Sequence, residues 1–212
     1  MSSTGLVIFD LDGTLVDQEA AVKQWVDDFI REYDAEYALR TWIVDQLTAR
    51  MPKDQAFARI VDRSAAAVES STLWDDYRSR MPQLVTLFPD VARALRDLRE
   101  AGWMLGIATN GMADNQIGKI ERTGLDALVD GWIVSSEIGI RKPDPGLLIA
   151  LAERLDAPLE GWMVGDGFET DVEAGRRAGL RTAWVTDRPR AGTAADLVVG
   201  DVPQFAVEVI SR

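Results

Sequence analysis

The chain has 212 residues, 47% of them hydrophobic, with 35 acidic against 23 basic side chains, a net charge of −12, and neither cysteine nor histidine. Those zeros exclude a thiolate nucleophile, an imidazole base and a Cys/His zinc site, so acid–base and nucleophilic work falls on carboxylates, hydroxyls or lysine. The negative charge disfavours binding to a phosphate backbone, no apolar run is long enough to span a bilayer, and the first residues show no leader pattern, so we expect a cytoplasmic chain of one domain or two small ones that binds neither nucleic acid nor membrane.

The first predicted element is a strand, Leu6-Val7-Ile8-Phe9, a short continuous apolar run of the kind found in parallel sheets covered on both faces. It leads into Asp10-Leu11-Asp12-Gly13-Thr14-Leu15, where Gly13 permits a sharp turn. Two carboxylates this close repel by roughly 4 kcal/mol at ~4 Å in an effective dielectric of ~20, and a divalent cation is the simple compensation. The pattern then becomes helical. Val22, Trp25, Val26, Phe29 and Ile30 share one helix face; a second stretch runs through Leu39, Trp42, Ile43 and Leu47; a third, entered through Pro52, carries Phe57, Ile60 and Val61; a fourth carries Leu73, Trp74 and Tyr77 and stops before Pro82. We read residues 17–86 as a helical bundle inserted into a domain made of residues 1–16 and 87–212. After Phe88-Pro89-Asp90, helices alternate with apolar runs at 103–109, 132–134, 162–164, 183–185 and 197–199. That alternation predicts an α/β fold, a doubly wound parallel sheet joined by the first strand.

Polar residues gather where the predicted strands end, which is where open α/β sheets bind ligands. Thr109-Asn110-Gly111 precedes a helix expected over about 112–123 and suits an oxyanion, although a simple cap by Asn110 explains the same residues. Arg141-Lys142-Pro143-Asp144-Pro145 precedes another helix, with Asp144 as its cap and Pro145 in its first turn. Lys142 has no evident structural duty there; it is either solvated or held against a phosphate or clustered acids. Gly165-Asp166-Gly167-Phe168-Glu169-Thr170-Asp171 follows the strand at 162–164 and supplies oxygen ligands of the type Mg2+ prefers, or else a cap and a solvent carboxylate.

Taken together, FDLDGTL at 9–15, ATNG at 108–111, RKPDP at 141–145 and GDGFETD at 165–171 resemble the haloacid dehalogenase superfamily, in particular its capped small-molecule phosphatases. The resemblance implies a HAD-like Rossmannoid core with a helical cap between the first and second motifs. It implies Asp10 as nucleophile, Asp12 as general acid/base, Thr109 and the Asn110 backbone on the phosphoryl oxygens, and Lys142 as the neutralising cation. It also implies Mg2+ held by the Asp10 carboxylate, the Asp12 carbonyl, Asp166 and Asp171, the last directly or through water. Dehalogenases of the superfamily do not keep the second Asp as an acid, so Asp12 favours phosphate chemistry. Thr170 stands where the family often has Asn, which bears on the role of Asp171.

The expected function is therefore Mg2+-dependent hydrolysis of a small phosphomonoester through an aspartyl-phosphate. A sugar-phosphate mutase using the same nucleophile and a non-catalytic phosphometabolite-binding protein are the alternatives. Substrate choice is expected in the helical segment, where Arg50 and Lys53 could offer cations and Trp25 and Trp42 apolar walls, but such aromatics are more often core and such cations more often surface, so none of the four is taken as a site residue. For Asp12 to exchange a proton, we expect a less cationic setting than that of Asp10.

Overall fold

The computed structural model describes residues 4–49, 51–189 and 194–211, so Arg50 lies outside the described residues. The chain divides into two compact units, Met1–Asp17 with Leu87–Arg212, and Gln18–Thr86. In chain order the elements are β1 (Gly5–Phe9), α1 (Gln18–Glu32), α2 (Arg40–Thr48), α3 (Lys53–Ser64), α4 (Ser70–Leu84), α5 (Val91–Glu100), β2 (Trp103–Thr109), α6 (Ala113–Arg122), β3 (Gly131–Val134), α7 (Ser135–Ile138), α8 (Gly146–Arg154), β4 (Gly161–Gly165), α9 (Glu173–Arg177), β5 (Arg181–Val185), β6 (Leu197–Val199) and α10 (Val202–Ile210).

The larger unit is a six-stranded sheet in the order β3-β2-β1-β4-β5-β6, every pairing parallel, with helices on both faces. Strand alternation decides which helix each β1 side chain meets. Leu6 and Ile8 pack with Leu147, Leu148 and Leu151 of α8, whereas Phe9 meets Phe205 of α10 edge-on at 6.1 Å. Because β1 is central, with β2 on one side and β4 on the other, the strand order reverses beside it. Its carboxyl end opens onto the crevice where such sheets bind ligands.

In the helical unit, Trp25 sits at the centre of the core. It stacks on Phe29 at 5.5 Å, meets Phe57 and Tyr77 edge-on at 5.7 and 5.4 Å, and donates its indole N–H to Asp76 Oδ2 at 2.9 Å. Trp25 is therefore a core residue. Trp42 is half-buried, with the Arg63 guanidinium 4.5 Å from its ring centre, and the Lys53 ammonium donates to the Leu47 carbonyl. One boundary differs from expectation: α4 runs through Pro82 to Leu84. A proline in a last turn forfeits a single backbone bond, and Val85 N–H still closes the helix on the Met81 carbonyl at 3.1 Å while Met81 is fully buried. Among the described residues no helix is long and apolar enough to cross a membrane.

Candidate active site

β1 ends at Phe9, and the Asp10 N–H donates to the Val164 carbonyl of β4 at 2.9 Å, which fixes the first carboxylate between the two central strands. The chain then turns back on itself, with the Leu15 and Val16 N–H groups both donating to the Leu11 carbonyl. Gly13 has φ +80°, and a Cβ there would come within 2.8 Å of Asp166 Oδ2. Only glycine meets both demands, so the turn and the close approach of Asp166 depend on one residue.

Three of the expected residues, Lys142, Asp166 and Asp171, converge around Asp10. The Lys142 ammonium, its side chain only 1% exposed, lies 2.7 Å from Asp10 Oδ1 and 2.8 Å from Asp171 Oδ1. Asp166 leaves the end of β4 with its backbone held from both sides: its N–H donates to Thr14 Oγ1 at 3.1 Å and its carbonyl accepts the Trp184 indole N–H at 2.9 Å. Asp171 lies in a π-helical turn, Phe168–Val172, and its Oδ2 accepts the Gly167 N–H at 2.8 Å. Gly165 makes room for it, since a Cβ there would meet Asp171 atoms at 2.4 to 2.6 Å. Thr170 Oγ1 donates to the Gly167 carbonyl at 3.4 Å, a contact local to the turn.

Electrostatically this is a site short of positive charge. Burial pushes the Asp10 carboxyl up to about 8; Lys142 opposes the rise, and repulsion from Asp171 and Asp166 adds to it. Asp166 is exposed on its outer side, yet desolvation on the inner side and then Asp171 push it up to about 6, with Asp12 adding a smaller repulsion. Burial works against the charge on Lys142, but Asp10 and Asp171 together overcome it and hold its pKa above the ordinary lysine value. One oxygen each from Asp10, Asp166 and Asp171 lie within 4.8 Å of one another. Asp171 Oδ1 is buried, with the Lys142 ammonium 2.8 Å away. A three-carboxylate oxygen cluster served by a single ammonium fits a hard divalent cation.

Asp12 has different company. Its two oxygens lie 2.8 and 2.9 Å from the ammonium of Lys119, and its Oδ2 also accepts the Gln116 amide at 3.1 Å. This corrects the expectation of a less cationic setting: Asp12 is paired with a lysine whose side chain is 1% exposed. It also changes how the Asp10–Asp12 repulsion is relieved, because each carboxylate has its own lysine. Thr109 is buried, and its Oγ1 accepts the same Gln116 amide at 2.7 Å. Asn110 does not cap α6. Its amide clasps the backbone of Lys142, donating to the Lys142 carbonyl at 3.0 Å and accepting the Lys142 N–H at 2.9 Å, and so ties the second motif to the loop that supplies the cation. Pro145 takes the N-cap position of α8 instead of its first turn, and Asp144 Oδ1 accepts the Gly146 N–H at 2.8 Å.

Gln116 and Lys119 were not singled out from the sequence. The available signal was their i, i+3 spacing next to Ile120 on the inward stripe of a helix, where polar side chains need a buried partner.

Comparison with known proteins adds the family. The chain is 38% identical over 125 residues to a glyceraldehyde 3-phosphate phosphatase of Methanopyrus kandleri, a match covering 57% of this chain and 52% of that protein. It is 34% identical over 163 residues to a phosphoserine phosphatase of Thermus thermophilus, covering 74% and 66%. These matches thus span between half and two thirds of those relatives, while a match at 26% identity to a glyceraldehyde 3-phosphate phosphatase of Pyrococcus furiosus covers 98% of this chain and 93% of that one. Among solved structures, a HAD-hydrolase of Bacillus subtilis bound to magnesium shares the fold with a TM-score of 0.82 over the whole of both chains at 18% identity. A HAD phosphatase of Thermococcus onnurineus does so with a TM-score of 0.72 at 23% identity, over 97% of this chain and 98% of that one. The family model for haloacid dehalogenase-like hydrolases matches residues 7–185, and the chain belongs to that family.

Proposed function

We propose that the protein is a Mg2+-dependent hydrolase of a small phosphomonoester that works through an aspartyl-phosphate on Asp10. The observation that carries this is the gathering of Asp10, Asp166, Asp171 and Lys142 at the end of β1 and β4, with a second carboxylate, Asp12, kept beside them in a setting of its own. Phosphatase relatives support the same chemistry. Asp10 attacks phosphorus, the bond from phosphorus to the ester oxygen breaks, and the departing alcohol takes a proton from Asp12. Water then bonds to phosphorus and gives its proton to Asp12, and the bond to Asp10 breaks to release inorganic phosphate. Thr109 and the Asn110 backbone hold phosphoryl oxygens, and Lys142 keeps Asp10 aligned and offsets its charge.

With all four carboxylates ionised, the two ammonium groups leave two negative charges without compensation at the site, which matches a divalent cation in sign and magnitude. Mg2+ would be held by the carboxylates of Asp10 and Asp166, with the Asp12 carbonyl and Asp171, and when bound it supplies charge neutralisation to the phosphoryl group. Because these core residues address only the phosphate, selection of the leaving group is placed in the helical unit Gln18–Thr86 acting as a cap, and the substrate is a small phosphorylated metabolite of the cytoplasm.

The test is release of inorganic phosphate from an aryl phosphate, with Mg2+ or with chelator, by the wild-type protein and by Asp10→Asn. Activity that needs the metal and disappears in the variant is expected; turnover that survives both overturns the mechanism. A product that is an isomerised phosphosugar, with no inorganic phosphate, identifies a mutase instead.

A further inference from the structure

Helix α6 buries a polar stripe, Asn115, Gln116 and Lys119, where α5, α8 and α10 bury aliphatic and aromatic side chains. An ammonium and an amide are costly to bury without partners. Here both are directed at Asp12, with Lys119 Nζ at 2.8 and 2.9 Å from its oxygens and Gln116 Nε2 at 3.1 Å. A carboxylate only accepts, so the Gln116 group facing it is the NH2. The same nitrogen lies 2.7 Å from Thr109 Oγ1. Its two hydrogens are thereby divided between Asp12 and Thr109, and Thr109 is an acceptor on that side. The hydroxyl hydrogen of Thr109 is left to donate in another direction.

We infer that Gln116 and Lys119 are positioning residues for phosphoryl transfer: Lys119 fixes the Asp12 carboxylate, while Gln116 ties that carboxylate to Thr109 and turns the Thr109 hydroxyl outward as a donor to the phosphoryl group. This rests on the hydrolase function proposed above and assigns the machinery around its acid/base. Without Lys119, Asp12 keeps only the Gln116 amide and loses its alignment, and the cost falls on the two steps it serves: protonation of the leaving oxygen and activation of water. Loss of Gln116 adds a second effect, weaker phosphate binding through a disoriented Thr109.

Two esters of similar shape separate these steps. Phenyl phosphate has a poor leaving group that needs the proton, whereas 2,4-dinitrophenyl phosphate leaves without help. Wild type, Lys119→Met, Lys119→Arg and Gln116→Met are compared by rapid quench with Mg2+ present, with thermal melting recorded for each. For Lys119→Met we expect kcat on phenyl phosphate to fall by ~10²-fold with KM little changed. On the dinitrophenyl ester the same variant should give a rapid first turnover, then a slow steady state as the aspartyl-phosphate waits for its base. Lys119→Arg should restore both, and Gln116→Met should show the burst together with a raised KM. Because burst and steady state are compared within one sample, partial misfolding scales both and does not imitate the pattern. Equal losses on the two esters without a burst, or wild-type rates in both methionine variants, overturn the positioning role alone. A wild-type protein that releases phosphate from neither ester overturns the hydrolase function and the positioning role together.

Discussion

Asp10 and Asp12 are two residues apart, yet they occupy unlike surroundings. Asp10, its side chain 13% exposed, shares Lys142 with Asp171 and sits within a cluster of acids. Asp12, 28% exposed, has Lys119 and the Gln116 amide. Under the proposed function the same residue type serves two tasks according to what surrounds it: one carboxylate lies within the acidic cluster beside Lys142, the other is held at the end of a separate hydrogen-bonded arm from α6. In the proposed two-step phosphoryl transfer, the less exposed carboxylate is the nucleophile and the more exposed one the proton carrier.

The largest expected effect comes from breaking the Asp10 side. Asp10→Asn should lower turnover by ~10⁴-fold or more while leaving the melting temperature equal or higher, since it removes a charge from a crowded acidic site. Phosphate release and a melting curve on the same sample check both halves. Next is the contrast between the two lysines. Lys142→Met leaves Asp10 and Asp171 without their buried cation, a change that costs about 3–5 kcal/mol and lowers Tm by on the order of 10 °C. Lys119→Met should cost less, because water reaches the exposed edge of Asp12. Calorimetry of the two variants at one pH compares them directly, and a larger loss for Lys119→Met would reverse the comparison.

Gly165→Ala drives a methyl group into Asp171 and should cost about 1–3 kcal/mol, with weaker retention of the divalent cation measurable by titration calorimetry. The remaining effect is a slope spread over several pH units, not a single loss. The Asp10 carboxyl titrates near 8 in the folded metal-free protein against 3.8 for an unperturbed group, and Asp166 near 6 against the same reference. Between those values the folded state holds protons that the unfolded chain has already released, so stability falls as pH rises from about 4 to about 8. Melting of metal-free protein across that range should show the decline. Added Mg2+ should flatten it, because the cation compensates the same carboxylates.

Much of this was legible in the chain itself. Apolar runs at 6–9 and 103–109 and the helix stripe through Val22, Trp25, Val26 and Phe29 carry their own periodicity, so strands and helices could be placed from local pattern. The acids at 10, 12, 166 and 171 could be grouped because they follow strand ends that a parallel sheet must bring to one edge. Lys119 escaped because its partner lies 107 residues away in sequence, and a lone lysine on an amphipathic helix reads as surface until the fold shows that it points inward. Asn110 was assigned to the right neighbourhood for an incomplete reason: no local pattern reveals that its side chain clasps the Lys142 backbone 32 residues later. Pro82 misled at the end of α4, where packing of Met81 outweighs the missing N–H.

The division of labour between the two carboxylates is tested most directly in Asp12→Asn, quenched with acid during reaction with 2,4-dinitrophenyl phosphate and Mg2+ and mapped by peptide mass spectrometry. Asp10 should carry the phosphoryl group in close to one equivalent, because the ester leaves without an acid while breakdown lacks its base. Phosphorylation of a different residue, or steady release of inorganic phosphate at the wild-type rate with nothing trapped on Asp10, would contradict it.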